Sequence, residues 1–370
     1  MKKKLTAVIL SMTMTLLVAV QPAASGIDWG FLAGAGTENP SAESAEGSAE
    51  AVPAAETAEP AAGTPDALET GFASPKEAAA AYVEAFCQMD LEKMMSVCAV
   101  ERYVKGFDFT KYAERMGALM SPAMQGTYLP YQDPFSYSLN CERRRAALAN
   151  MIFMQYLNVM IPGYAEKEQG APVSLKEYGS VAEAIEEKYG SGHVPEISFQ
   201  GEFLSPRLFT DNYYSVSILK NTYNRIKMYG MDNSVTVVPV IYIDGMVSAL
   251  MLETVCYDGQ WFVSDGAVLA AVAGMNTYTG GMVGLNIPEE DEYGQEAAEA
   301  RDNLTAILSD DALMGAAEHF DEAFLKIDLQ VLGMMAENDM EAAETMLETS
   351  IRAAMDPDEM ALLESFDSIF

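Results

Sequence analysis

The chain has 370 residues, half of them apolar, and a formal net charge of −33 at pH 7. That length and apolar content suffice for one or two domains with a buried core. The negative charge excludes nucleic acid and anionic membrane surfaces as partners, because both would repel the chain.

Residues 1–25 predict a secretory signal peptide. Three lysines precede an apolar run over residues 5–20, and small residues follow at 23–25. This is the order of charged, apolar and cleavage regions found in export signals. The run is shorter than the roughly 20 residues that span a bilayer. We therefore expect cleavage near Ser25 and a mature protein that is extracellular or associated with the cell surface, with a retained anchor as the alternative. No integral membrane segment is predicted after it.

Residues 26–72 predict a disordered linker that repels itself. They are rich in Ala, Glu, Pro, Ser, Thr and Gly, and they contain nine acidic and no basic residues. Such a composition cannot bury enough apolar surface to fold.

The folded part is predicted to begin with two helices. Ser74 is placed as an N-cap, Pro75 suits the first turn, and Glu77 completes a capping box. Helical spacing continues to Phe86, and a break at residues 88–90 leads to a second helix over about 91–98. The same spacing predicts helices over about 140–161, 182–189 and 216–229, and residues 194–204 are predicted to be extended.

An antiparallel meander is predicted next. Residues rich in β-branched and apolar side chains at 235–243, 246–257 and 260–264 are separated by two Asp-Gly dipeptides, at 244–245 and 258–259. Asp-Gly between such runs is a strong hairpin signal. Pro239, inside the first strand, indicates an edge position or a bulge.

Residues 289–370 are strongly acidic, with 3 Lys or Arg against 23 Asp or Glu, and they are predicted to be helical from about residue 294. Helices are predicted over 295–308, 311–336, 339–354 and 357–368, with N-caps at Asp310, Asp339 and Asp356. The motif Glu-Ala-Phe followed by Asp-Leu occurs at 84–91 and again at 322–329. It is either a partial repeat of the first two helices, ending before any strand, or a chance similarity of amphipathic helices.

The run Ser-Pro-Lys-Glu-Ala-Ala-Ala-Ala-Tyr-Val-Glu-Ala-Phe at 74–86, with the Asp-Leu that follows, resembles the start of NTF2-like (SnoaL, cystatin-like) domains. Tyr-Asp-Gly-Gln-Trp-Phe-Val at 257–263 is similar to the last hairpin of that superfamily. The chain also resembles secreted bacterial proteins, mostly Gram-positive, with such a domain behind a signal and linker. The resemblance implies an α+β fold over residues 73–288, in which helices pack on a curved antiparallel sheet to form a cone with an apolar pocket. A helical insertion at about 105–190 interrupts it.

Four residues are candidates for a ligand site in that cone. Tyr214, Tyr242 and Trp261 are candidates for lining a pocket for a carbohydrate or apolar ligand, and His193, in a Gly-rich loop, is a candidate general base at the mouth. The alternative is that the aromatic residues belong to the core and His193 is an exposed loop residue. Enzymes of the superfamily use Asp, His or Tyr inside the cone, but none of their catalytic motifs can be placed here. No catalytic residue is therefore assigned.

No metal site or cofactor is predicted. No Cys/His cluster has zinc spacing, and the acidic runs at 289–292 and 356–359 lack the spacing of an EF-hand loop. The arginines at 143–145 either clamp an anionic ligand or, as we favour, neutralise nearby acids. The chain has four cysteines: Cys87, Cys98, Cys141 and Cys256. They are either disulfide-bonded, with Cys87 and Cys98 as a pair, or small buried hydrophobic residues, and we favour the second alternative.

Together these features predict an exported, non-catalytic module of the cell envelope or extracellular space that binds a partner protein or a small ligand. The alternative is an NTF2-like enzyme that performs general acid/base chemistry on a small apolar ligand. A homodimer is a further expectation, because the resemblance implies a sheet of a kind that often pairs back to back.

Overall fold

The computed structural model describes residues 69–106, 134–160, 194–209, 214–264, 282–283 and 294–366. They belong to one structural unit that begins at Glu69. The predicted signal peptide, the linker before Glu69, the predicted helix at 182–189 and His193 lie outside the described residues.

The described chain is an α+β fold with ten helices and a curled antiparallel sheet that forms a half-barrel. The helices are α1 (Pro75–Cys87), α2 (Leu91–Val97), α3 (Val100–Gly106), α4 (Pro134–Met160), α5 (Val216–Tyr229), α6 (Gly294–Leu308), α7 (Asp311–Leu325), α8 (Leu329–Asn338), α9 (Met340–Ala354) and α10 (Pro357–Ser365). The strands are β1 (Ile197–Leu204), β2 (Asn233–Ile243), β3 (Met246–Leu250), β4 (Leu252–Tyr257), β5 (Gln260–Val263) and β6 (Met282–Val283).

The helix starts follow the predicted caps. The Ser74 hydroxyl accepts a hydrogen bond from the Glu77 N–H at 3.2 Å, and the Glu77 carboxylate accepts one from the Ala73 N–H. The caps predicted at 310, 339 and 356 are confirmed, because each Asp side chain accepts a backbone N–H of its helix. The single helix predicted over 311–336 is wrong: it is α7 and α8, and Asp328 caps the second of them.

One long hairpin forms the centre of the sheet, and the predicted meander is confirmed. The pairs Val240–Ala249 and Val237–Leu252 keep one register, so β3 and β4 together are the partner of β2. β1 pairs with the other edge of β2, and β5 and β6 pair with the outer edges of β4 and β3.

Both Asp-Gly dipeptides turn the chain as predicted. Backbone φ is 51° at Asp244 and 79° at Gly245, and 52° at Asp258 and 72° at Gly259. A positive φ at both central residues is the geometry of a type I′ turn, whose twist matches that of the flanking strands.

Pro239 lies on an interior strand, so the alternative of an edge position is wrong. The alternative of a bulge agrees with the structure, because the register of β1 against β2 shifts between Phe199 and Phe203, and Phe203 faces Pro239. Gly201 lies in this bulge with φ of 84°, a conformation that favours glycine.

Successive side chains of the hairpin enter two different hydrophobic cores. Val237 and Ile241 point to what we call the first face, which packs against α1 and the helices behind it. Val238 and Val240 point to the second face, which packs against α5 and the C-terminal helices. Burial on both faces explains why every residue of β4 is buried.

Large side chains fill the space over the first face. The Phe86 ring stacks on the Tyr156 ring with centroids 4.4 Å apart, and the Tyr156 hydroxyl donates to the Phe86 carbonyl oxygen. The largest side chains that are fully buried in this core are Tyr82, Phe86, Met94, Leu148, Ile152 and Tyr156.

The two copies of the Glu-Ala-Phe motif have the same local geometry. The Met89 N–H donates to the Phe86 carbonyl at 3.0 Å, and the Ile327 N–H donates to the Phe324 carbonyl at 2.9 Å. Asp90 caps α2 as Asp328 caps α8. The pair α1–α2 belongs to the core of the first face and α7–α8 to that of the second, so similar helix pairs cover opposite sides of one sheet.

The contact between α8 and α5 is so close that only glycine fits at Gly333. A Cβ atom there would lie 2.1 Å from the Tyr223 ring. Lys227 also joins the two helices, because its ammonium lies 3.0 Å from the Glu337 carboxylate.

We expect Gly333→Ala to lower the melting temperature, because the added methyl group must push α8 away from Tyr223. Gly315→Ala is the matched control: Gly315 lies inside α7, and a Cβ there meets nothing within 4 Å. That substitution should stabilise the protein by up to about 1 kcal/mol through helix propensity. Calorimetry of both variants checks this, and equal shifts of the same sign would contradict the close contact.

Candidate functional site

Two of the three predicted pocket residues that the structure describes, Trp261 and Tyr242, lie far apart. Trp261 pairs with Cys256, which pairs with Asn233 at the start of β2. Tyr242 lies nine residues further along β2, a distance of about 30 Å at about 3.3 Å per residue. Trp261 and Tyr242 therefore lie at opposite ends of the hairpin.

Tyr242 contacts an acid rather than a cavity. Its hydroxyl donates to the Glu202 carboxylate at 2.6 Å. This hydrogen bond, with some burial, raises the pKa of Tyr242 to about 12. The phenol therefore stays protonated near neutral pH and is not suited to act as a base.

Trp261 marks the place where the N-terminal segment joins the sheet. Its backbone exchanges two hydrogen bonds with Phe72, at 2.8 and 3.0 Å. Three residues before Phe72, the Glu69 carboxylate accepts hydrogen bonds from the backbone N–H groups of Glu101 and Arg102. Burial raises the pKa of Glu69 to about 7, against the lowering effect of Arg102. The last residues of the predicted linker, 69–72, therefore belong to the folded part.

The arginines at 143–145 contact protein groups. Arg145 forms ion pairs with Glu101 and with Glu142, the latter at 3.3 Å. The Arg144 guanidinium lies 3.1 Å from the centroid of the Tyr103 ring. These contacts agree with the neutralising role that the sequence favours.

A buried ion pair connects α5 to the second face. Both terminal guanidinium nitrogens of Arg225 donate to the Glu253 carboxylate, Nη2 at 2.8 Å. The Ser234 hydroxyl donates to the same carboxylate at 2.8 Å. The Glu253 side chain is only 3% exposed. This bidentate pair satisfies a charge inside the sheet and fixes α5 on it.

Tyr214 lies at the joint between the sheet and the C-terminal helices. Its hydroxyl donates to Asp321 of α7 at 2.6 Å, and the Ser205 hydroxyl donates to the same carboxylate oxygen at 2.8 Å. The Tyr214 ring packs edge-on against Phe320 and Phe324, with centroids 4.8 and 4.5 Å away. Nearby, the Lys76 ammonium of α1 pairs with Glu318 of α7 at 2.5 Å.

The Asp321 carboxyl group at this joint has a pKa well above its ordinary value. Burial raises its pKa to about 6, although the hydrogen bonds from Tyr214 and Ser205 lower it. A carboxyl group with that pKa beside a tyrosine is suited to proton transfer. Here, however, Ser205 and Tyr214 already occupy Oδ1 and aromatic rings enclose the tyrosine, so the arrangement is a contact that holds α7 in place.

The remaining titratable residues form local contacts. The Nδ1 atom of His319, on α7, lies 2.7 Å from the Glu359 carboxylate of α10. All four cysteines are free thiols, and three are buried. Burial raises the pKa of Cys87 to about 11, which keeps it protonated. Among the described residues, no group of three His, Cys, Asp or Glu side chains is placed to hold a metal ion.

The outer side of α8 exposes apolar side chains. Of the five large apolar residues that are exposed in the described chain, four lie between residues 325 and 340. Val331 and Met334 are 39% and 49% exposed on α8, and Leu325 and Met340 flank that helix at 38% and 36%. We call these four residues the α8 patch.

A groove of about 560 Å³ runs along α9, next to the end of the α8 patch. Ala342 and Met346 are its apolar residues, and Asp339 and Glu341, on either side of Met340 in sequence, are its acids. The groove is wide open to solvent, unlike an enclosed ligand pocket.

Sequence reasoning missed Asp321, Glu253 and the α8 patch, although each left a signal. Glu253 is the one acid within the apolar run over 246–257. Asp321 borders the apolar stripe of α7, next to Phe320. Val331 and Met334 lie outside the stripe that α8 buries, which consists of Leu329, Leu332, Gly333 and Ala336.

Comparison with protein-family models, with curated proteins and with solved structures finds no match to this chain. The NTF2-like resemblance therefore remains a prediction. Within the part of the chain that the structure describes, no helix is both long and apolar enough to cross a bilayer.

We expect the stability of the unmodified protein to depend on pH through Asp321, and we expect the Asp321→Asn variant to lack that dependence. Because the pKa of Asp321 is raised in the folded state, its contribution to stability is complete below its ordinary value of 3.8 and is lost as the pH rises through about 6. The free energy of unfolding of the unmodified protein, relative to the variant, should fall by up to roughly 3 kcal/mol across that window.

Urea denaturation at several pH values measures that difference. The matched control is Glu322→Gln, an exposed neighbour on the same helix, which should leave the slope nearly unchanged. A flat difference between the unmodified protein and Asp321→Asn from about pH 4 to 7 would show that Asp321 is not buried at this joint.

Proposed function

We propose that this chain is an exported, non-catalytic interaction module of the cell envelope or the extracellular space, built on an NTF2-like sheet. It binds through its outer surface and not through a pocket inside the sheet. The observation that carries the proposal is the covering of both faces of one sheet by helices of the same chain.

The filled first face favours binding over catalysis. An NTF2-like enzyme needs room for its substrate between the helices and the sheet. In this chain Phe86 and Tyr156 stack in that layer, and neither side chain has measurable exposure. The two rings fill the part of the layer in which they lie, at the close packing that is typical of protein interiors, and this favours a core over a ligand pocket there.

The covered second face favours a partner other than a second sheet. Back-to-back pairing needs an open sheet surface, and here α5 and the C-terminal helices occupy the second face. The Arg225–Glu253 ion pair and the Asp321–Tyr214 hydrogen bond fasten two of those helices. A homodimer therefore needs another surface.

Export is tested by expressing the full chain in a bacterial host and sequencing the N-terminus of the protein outside the cytoplasm. We expect cleavage near Ser25, because the apolar run is too short to remain as a spanning anchor. An intact Met1 on protein that stays in the cytoplasm contradicts the export part of the proposal.

The filled interior is tested by xenon NMR on the mature protein. We expect no saturable xenon shift in the unmodified chain, and a new shift in Phe86→Ala, whose cavity is dry and apolar. Phe86→Leu serves as the milder variant if the alanine variant does not fold. Saturable uptake by the unmodified chain, displaced by a small apolar compound, would favour the enzyme alternative.

A further inference from the structure

The α8 patch is held in its outward orientation by the close contact beneath it. Gly333 lies against the Tyr223 ring, and Leu332 and Ala336 are buried on the same side of α8. Val331 and Met334 are three residues apart on the opposite side, so their side chains are neighbours on one helix face. The apolar exposure therefore follows from how α8 is packed.

The surroundings of the α8 patch are acidic. Residues 322–344 carry six acids against one base, Lys326, and one of these acids, Glu337, is paired with Lys227 of α5. The groove along α9 is lined by Asp339 and Glu341, the sequence neighbours of Met340, and by Met346. An apolar surface with an acidic rim is complementary to a partner that presents apolar side chains with a basic rim.

A second copy of this chain does not fit that surface. Each copy carries a net charge of −33, and residues 294–366 alone carry 18 acids against 3 Lys or Arg. Two such surfaces brought together would repel each other across the interface. The same charge disfavours an anionic lipid surface.

From the exposed α8 patch and its acidic rim, we propose that this face binds a basic amphipathic helix of a partner protein. The partner's apolar stripe covers Val331 and Met334, and its Lys or Arg side chains face the carboxylates of Asp339 and Glu341. This is the helix-in-groove mode of peptide recognition, with anchors at helical spacing. The inference rests on the proposed function as an interaction module and names the class of its partner.

The test uses the mature chain and three synthetic peptides of about 18 residues, or roughly five helical turns. The first is a Lys/Leu peptide with an amphipathic helical pattern. The second has the same composition in an order that destroys the stripe. The third replaces every Lys with Glu. Fluorescence anisotropy measures binding, and hydrogen exchange maps the protected residues.

We expect the amphipathic Lys/Leu peptide to bind and to protect α8 and the first turn of α9. Val331→Ser with Met334→Ser should weaken binding about tenfold or more, since each tenfold loss corresponds to about 1.4 kcal/mol and two apolar anchors are removed. Val194→Ser is the matched control, because Val194 is the remaining large exposed apolar residue among those that the structure describes, and this variant should bind as the unmodified chain does. Met334→Ser alone replaces the double variant if the latter does not fold.

Three results overturn the inference. If the second peptide, which has the same composition without the stripe, binds as tightly as the amphipathic Lys/Leu peptide, charge alone attracts it. If the third peptide, with Glu in place of Lys, binds as tightly as the first, the acidic rim has no role. A dimer in sedimentation that Met334→Ser dissolves assigns the patch to a second copy. None of these results contradicts the proposed function. That function is contradicted instead by saturable xenon uptake in the unmodified chain or by an uncleaved protein that stays in the cytoplasm.

Discussion

The pleat of the β2–β3–β4 hairpin sends successive side chains into two helical layers, and the rest of the fold is arranged around that constraint. Neither face of the hairpin is free for water, so its polar residues need partners inside the protein. Glu253 meets this need with Arg225 and Ser234, and the result fixes the position of α5.

The C-terminal helices are part of this arrangement. Asp321 connects α7 to Ser205, which follows β1, and to Tyr214, which precedes α5. Gly333 brings α8 against Tyr223. Because the inner side of α8 is occupied in this way, the apolar residues on its outer side are presented to solvent on a rigid support.

Local signals in the sequence predicted most elements of the fold, but not α3 or β6. The capping box at Ser74 and the two Asp-Gly turns depend on residues close together in the chain, and each formed as expected. The assignment of helices to faces depends on contacts far apart in sequence, which local patterns do not specify. Helix spacing alone did not reveal that Lys326–Asp328 breaks the predicted helix over 311–336, although the repeated motif marked the place.

The candidate site was less accessible to sequence reasoning for the same reason. Tyr214 was selected as an aromatic residue, but its significance comes from Asp321, more than a hundred positions away. Trp261 and Tyr242 were grouped because both are aromatic residues of one meander, whereas the register places them at opposite ends of it. The α8 patch is visible only once the buried stripe of α8 is known.

The pairing of Phe72 with Trp261 has a mechanical consequence. The N-terminal segment enters the fold along the outer edge of β5, held by two backbone hydrogen bonds and by the anchored Glu69 carboxylate. Each backbone hydrogen bond contributes only about 1 kcal/mol. Tension on the chain before Glu69 therefore loads this short attachment first, and peeling it from β5 also draws the half-buried Phe72 away from the core of the first face.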